Sequence, residues 1–188
     1  MQNQITIQSI LILLILTSTV ALAQEDKSIH SDNHSKSFHS LTLMAANAFI
    51  PNSFSDDTNE ILIVPVYGLN YDYQFNRKWG LGVHTDILLQ QFKVEKQSNH
   101  EEVVRENPVS ITAILFFKPH HRWKILGGYG IEIEKNENFQ LLRIGVEYGI
   151  ELPKNWELGF AFEGDFKING YYSMLLGIGF TKKFVKQH

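Results

Sequence analysis

His84 and Asp86 stand two residues apart in "VHTDILL" (83–89). On an extended strand that spacing turns both side chains to one face. A carboxylate beside an imidazole orients it and raises its basicity, the first need of a general base. No serine or cysteine nucleophile neighbours the pair in sequence; Ser110 and Ser173 reach it only if the fold carries them across. Perturbed pairs of this kind also arise in structural ion-pair networks. No catalytic residue is assigned, and the chain is read as non-enzymatic. His30, His34, His39, His120 and His121 form no compact set with metal-ligand spacing. No metal and no cofactor is expected.

Other ionisable and polar residues share a strand face with the pair or recur at the matching parity: Asn70, Asp72, Lys118, Lys124, Arg143, Glu147, Glu151 and Glu157. Charges that enter an enclosed space must pair with one another. Asp72, His84, Asp86, Arg143, Glu147 and Glu151 are therefore read as a polar network that fills and braces an interior. A gated ion or proton path is the functional alternative for the same residues. The chain has no cysteine and a net charge of −3. Those values exclude a disulfide framework and a thiolate zinc site, and they give no basic face for nucleic acid.

The elements that position these residues are strands. "LLRIGVEYGIEL" (141–152) sets Leu142, Ile144, Val146, Tyr148, Ile150 and Leu152 against Leu141, Arg143, Gly145, Glu147, Gly149 and Glu151. The same two-residue period runs through "WGLGVHTDILL" and "WELGFAFEGDF", and no long 3.6-residue period competes with it. Turn signals divide the region into eight strands, 39–50, 61–75, 79–94, 108–118, 123–134, 139–152, 156–168 and 171–184. Connections at 76–78, 119–122 and 153–155 are tight, whereas 51–60 and 95–107 are long and polar. An even count of eight permits closure, which removes both sheet edges.

Before this region lies "ILILLILTSTV" (10–20) followed by "ALA" (21–23), read as a signal peptide over 1–23 cleaved after Ala23. Residues 24–37 form a polar arm, 38–184 the barrel, and 185–188 a short tail.

Alternation does not say which face points outward. The apolar face carries no charge until Lys93 and Lys182, while Gly68, Gly80, Gly82, Gly145, Gly159, Gly177 and Gly179 fall on the polar face. A charge costs roughly 2–4 kcal/mol on the lipid side at mid-bilayer, and small residues make room inside a narrow barrel. Tyr71, Tyr73, Phe75, Trp79, Trp123, Trp156, Phe180 and Phe184 gather beside the tight turns, as an interfacial girdle does. The expected fold is all-β: an eight-stranded antiparallel up-and-down transmembrane barrel.

On this pattern residues 38–184 resemble the small eight-stranded outer-membrane barrels of the OmpA and OmpX type. The resemblance implies the outer membrane of a Gram-negative cell, short turns in the periplasm and long loops outside. It implies two partners, outer-membrane lipid and the barrel-assembly machinery. Such barrels end in alternating aromatics; here "GIGFTKKF" places Lys182 between Phe180 and Phe184.

The expected function is a structural or surface-interaction role in the envelope, through external loops 51–60 and 95–107, toward a surface ligand the sequence does not name. A second reading uses Leu62, Val64, Val66, Leu88 and Phe92, which share the inward parity and face Glu132, Arg143, Glu163 and Asp165. Together they suggest an upper-lumen pocket that binds or transports, porin-like, a small amphipathic molecule. The third reading is a lipid-modifying enzyme using His84.

Overall fold

Each alternating segment has an apolar face and a polar one, and closing the sheet separates them into an outside and an inside. The structure is a computed structural model that describes residues 37–54, 59–96, 98 and 101–185. The signal segment with its cleavage point, the arm as far as Lys36, and residues 186–188 lie outside the described residues. The strands are β1 (Phe38–Phe54), β2 (Asn59–Gln74), β3 (Trp79–Leu88), β4 (Gln91–Glu95), β5 (Glu102–Glu106), β6 (Val109–His120), β7 (Trp123–Ile133), β8 (Phe139–Leu152), β9 (Trp156–Lys167) and β10 (Tyr172–Val185). Eight of them, β1–β3 and β6–β10, pair antiparallel with their neighbours, and the pairing of β10 with β1 closes the barrel.

Three expectations about the strands and their connections need correction. The strand expected over 79–94 breaks after Leu88: Leu89 N donates to Pro65 O at 2.9 Å, and the chain turns away from the wall. The segment 95–107 is not an open loop, because Glu102–Glu106 pairs with Gln91–Glu95 as a hairpin. In that hairpin Phe92, Val94 and Arg105 are buried, so it folds over the barrel mouth. The long connection at 51–60 is likewise mostly strand, with β1 running to Phe54 and β2 starting at Asn59 past a register shift between Ile50 and Ser53.

The outer wall is apolar. Leu43, Ile63, Leu81, Tyr129, Ile144, Phe162 and Ile178 are exposed on it, one or more from each side of the barrel. Outward positions of the barrel strands carry no Asp, Glu or Arg and a single Lys, Lys182, among the described residues. In water such a contiguous patch would drive association; hydrocarbon is the solvent it suits.

The tight turns share one rim with the ends of β1 and β10, where Phe38 pairs with Val185. Asn76 Oδ1 accepts from Lys78 N and Trp79 N, each at 2.8 Å, which is why asparagine closes this turn. Lys154 and Asn155 take left-handed φ values of 61° and 60° behind Pro153.

Each tryptophan there packs on an aromatic of the adjoining strand: Trp79 on Phe117 at 4.8 Å, Trp123 on Tyr148 at 5.0 Å and Trp156 on Phe180 at 4.6 Å. Tyr71 and Tyr73 hold His39, by a 2.6 Å hydrogen bond and a 4.7 Å stack. Phe184 is exposed on the same rim. Lys182, the residue that interrupts the terminal aromatics, lays its ammonium over the Trp156 ring at 4.8 Å and donates to Lys154 O at 2.7 Å. Its stem thus follows the apolar face while its charge reaches the rim.

Candidate functional site in the lumen

The interior is layered. Ile114, Phe116 and Leu126 form a small apolar cluster among the charged side chains of the turn-side half, with Lys124 over the Phe116 ring, and a larger apolar layer lies under the hairpin.

Arg143 on β8 is fully buried and makes the densest set of contacts. Register places it opposite Asp165 on β9, and its Nε and Nη2 donate to the two Asp165 carboxylate oxygens at 2.7 Å each. Its third nitrogen, Nη1, donates across the lumen to Asp86 Oδ2 on β3 at 2.5 Å and lies 3.2 Å from Glu163 Oε2. The planar guanidinium suits this task because it offers one fork to a neighbour and a further donor to the opposite wall.

Lys124 on β7 makes a second crossing. It sits opposite Glu147 on β8 and bonds that carboxylate at 2.7 Å, then reaches Asp72 on β2 at 2.9 Å. His84 Nε2 stands 3.2 Å from the other Asp72 oxygen, so it donates there and the pair links histidine to the lysine strut.

The residues expected to form one network do not all meet. Asp72, His84, Asp86, Arg143 and Glu147 lie in this charged layer, but the histidine's partner is Asp72 and not Asp86, which belongs to Arg143. Glu151 is on the exposed rim, paired with Lys183 at 3.3 Å. Its parity is inward, yet it lies beyond the end of the enclosed lumen. Ser173 accepts from Lys167 at 2.7 Å, and the buried Ser110 hydroxyl has no hydrogen-bond partner. Neither serine is bonded to His84.

Two glycines explain how so many carboxylates fit. A Cβ on Gly82 would stand 2.1 Å from Asp72 Oδ1 and 2.8 Å from Tyr71 O. One on Gly68 would stand 2.4 Å from Asp86 Oδ1. Each carboxylate leans over the strand beside its own, into space that a side chain would occupy. Alanine at either position would therefore push an anion off its cation.

Leu62, Val64, Val66, Leu88 and Phe92 come together in the upper layer, joined by Ala48, Ile50, Val94, Phe139, Tyr171 and Leu175. Phe92 and Val94 join this cluster from β4 because the chain turned at Leu89.

Sequence reading missed Arg105, which it left in a loop. Arg105 is fully buried, donates to Glu132 at 2.6 Å and to Glu137 O at 2.5 Å, and lies 4.7 Å from the Phe139 ring centre. Tyr171 donates to the same Glu132 at 2.9 Å. The signal was present in "EVVRE", where Val103 and Arg105 share a parity, but the flanking glutamates hid it. Outside the wall, Lys96 bonds Glu137 at 2.6 Å, and that contact holds its ammonium above the ordinary lysine range. The hairpin is thereby tied to the β7–β8 turn.

A cavity of about 40 Å³ opens beside Asn70, Asp72, Lys124 and Glu147, room for a few waters and no more. What the site does chemically is bind charge to charge across a narrow space.

No protein-family model matches the chain, and no curated protein matches it. Among solved structures it is similar to the outer membrane protein OprG from Pseudomonas aeruginosa, at 14% identity and a TM-score of 0.52, covering 80% of this chain and 97% of that one. It is also similar to Ail, the attachment invasion locus protein of Yersinia pestis, at 14% identity and a TM-score of 0.46 over 79% and 99% of the two chains. Neisserial surface protein A gives 14% identity and a TM-score of 0.42 over 79% and 97%. The likeness to OprG is one of fold: a small closed outer-membrane-type barrel of eight antiparallel strands.

Proposed function

We propose that this is a non-catalytic barrel of a Gram-negative outer membrane, serving the envelope as a rigid, non-conducting anchor for its outer-facing strands and hairpin. The observation that carries this reading is the double crossing of the lumen, Arg143 to Asp86 and Lys124 to Asp72, capped by buried Arg105. A pore needs a wet path, whereas these pairs reach across the lumen from one wall to the other. Support for the membrane comes from the uncharged outer wall, the aromatic rim and the fold shared with OprG.

In this reading outer-membrane lipid covers the belt, and barrel-assembly machinery inserts it. The rim with Trp79, Trp123 and Trp156 faces the periplasm, and the β4–β5 hairpin with the β1–β2 connection faces outside. The hairpin presents Glu102, Glu106 and Lys93 to solvent, suited to weak polar contacts.

Planar-bilayer recording tests the non-conducting claim. The purified barrel is expected to give no steady current above that of lipid alone. A stable unitary conductance from the wild-type protein would overturn the reading.

A further inference from the structure

His84, Glu147 and Glu163 come from β3, β8 and β9, and nothing in their sequence spacing relates them. In the lumen, one ligand atom from each lies within 4.8 Å of the other two. We propose that these three side chains form a binding site for one divalent first-row cation of the zinc class, buried inside the barrel.

Three independent observations support it. Glu163 has no exposed surface, yet neither carboxylate oxygen has a hydrogen-bond partner. The nearby Arg143 Nη1, 3.2 Å from Oε2, is aimed instead at Asp86. A fully desolvated carboxylate without donors is costly unless something else neutralises it.

The second observation concerns charge. Asp72, Asp86, Glu147, Glu163 and Asp165 are met by Lys124, Arg143 and, at 3.8 Å from Asp165, Lys167. Lys167 also lies 3.6 Å from Glu132, so these carboxylates outnumber the cations that contact them, an excess of negative charge that a divalent ion would offset.

The third is the arrangement around the imidazole. His84 Nε2 donates to Asp72, and Nδ1 is buried with no partner. A carboxylate that fixes one ring nitrogen while the other stays unprotonated is the outer-shell support that metal-binding histidines usually have. Lys124 braces Asp72 and Glu147 together, so the support extends to a second ligand.

One nitrogen and carboxylate oxygens suit zinc, manganese or ferrous iron better than calcium, which prefers oxygen alone. Bonds of about 2.1 Å require the three side chains to close inward by roughly 1–2 Å, a rotamer adjustment. The small cavity at the turn-bearing rim touches Asp72 and Glu147 and gives an approach from that side.

The test uses the full mature barrel, refolded in detergent and stripped with a chelator. Zn²⁺ is titrated by calorimetry, and Co²⁺ by its visible absorption as a second probe. One ion per chain is expected, with affinity reduced at least tenfold in Glu163→Gln and in His84→Asn but unchanged in Glu151→Gln on the rim. Folding of every variant is checked by the change in gel mobility on boiling. Glu163→Gln keeps the side chain's shape, so it serves if His84→Asn fails to fold. Absence of uptake by the wild type would overturn the proposal, and so would equal uptake by wild type and Glu163→Gln, which would place the metal on surface histidines.

Discussion

Arg143→Met is expected to destabilise the barrel by about 3–5 kcal/mol, or to prevent its folding, because it strands buried Asp86 and Asp165 without the guanidinium that bonds them both. Arg143 satisfies Asp165 with two bonds and Asp86 with one, and it is the nearest cation to Glu163. All four groups are buried. Truncating one partner of a desolvated set costs more than the set contributed, since each remaining carboxylate keeps its desolvation penalty without its compensation.

Urea unfolding in detergent micelles, followed by the gel mobility of unboiled samples, measures the loss. A matched variant separates charge from shape: Arg143→Met with Asp86→Asn and Asp165→Asn should recover much of the stability, because an uncharged set can be accommodated. Arg143→Lys should fall between, holding one neighbour but unable to fork onto Asp165 and reach Asp86 together. If Arg143→Met unfolds at the wild-type urea concentration, the network does not brace the lumen.

The second large effect belongs to the outer wall. Ile178 lies midway along β10, exposed, between Ala45 on β1 and Phe160 on β9. Ile178→Arg is expected to cost about 2–4 kcal/mol when the barrel refolds into lipid vesicles, while Phe184→Arg on the rim should cost about 0–1 kcal/mol. Depth produces the contrast, since both side chains are exposed and both changes introduce the same charge. On a water-facing wall the two would be alike and near neutral, as surface substitutions usually are. Equal, small costs would therefore contradict the bilayer assignment even if the barrel itself were correct.

Much of this architecture was legible in the chain because a strand's side-chain period is two. Runs such as 141–152 reveal which residues share a face, and the lack of charge on one face indicates the solvent beside it. Height is another matter. Glu147 and Glu151 have the same parity, but one reaches Lys124 in the enclosed layer and the other reaches Lys183 on the rim. Depth depends on strand tilt and on the register between neighbours, which turn geometry sets and alternation does not encode.

The same limit hid which partners meet. His84 and Asp86 are close in sequence, yet Asp72 on the adjoining strand takes the imidazole and Arg143 from across the lumen takes the aspartate. Arg105 was lost for a different reason. A short hairpin with a glutamate at each end of its second strand reads as a solvated loop unless its fold over the mouth is known. The trio His84, Glu147 and Glu163 has no sequence signature at all, because closure of the barrel alone brings β3 toward β8 and β9.

The central claim is that the apolar wall lies in an outer membrane around a filled lumen. Fractionation of the cells that make the protein tests it most directly, with each fraction run on a gel before and after boiling. The protein should be recovered in the outer-membrane fraction and shift in mobility when boiled. Recovery as a soluble periplasmic monomer with no heat-dependent shift would contradict it.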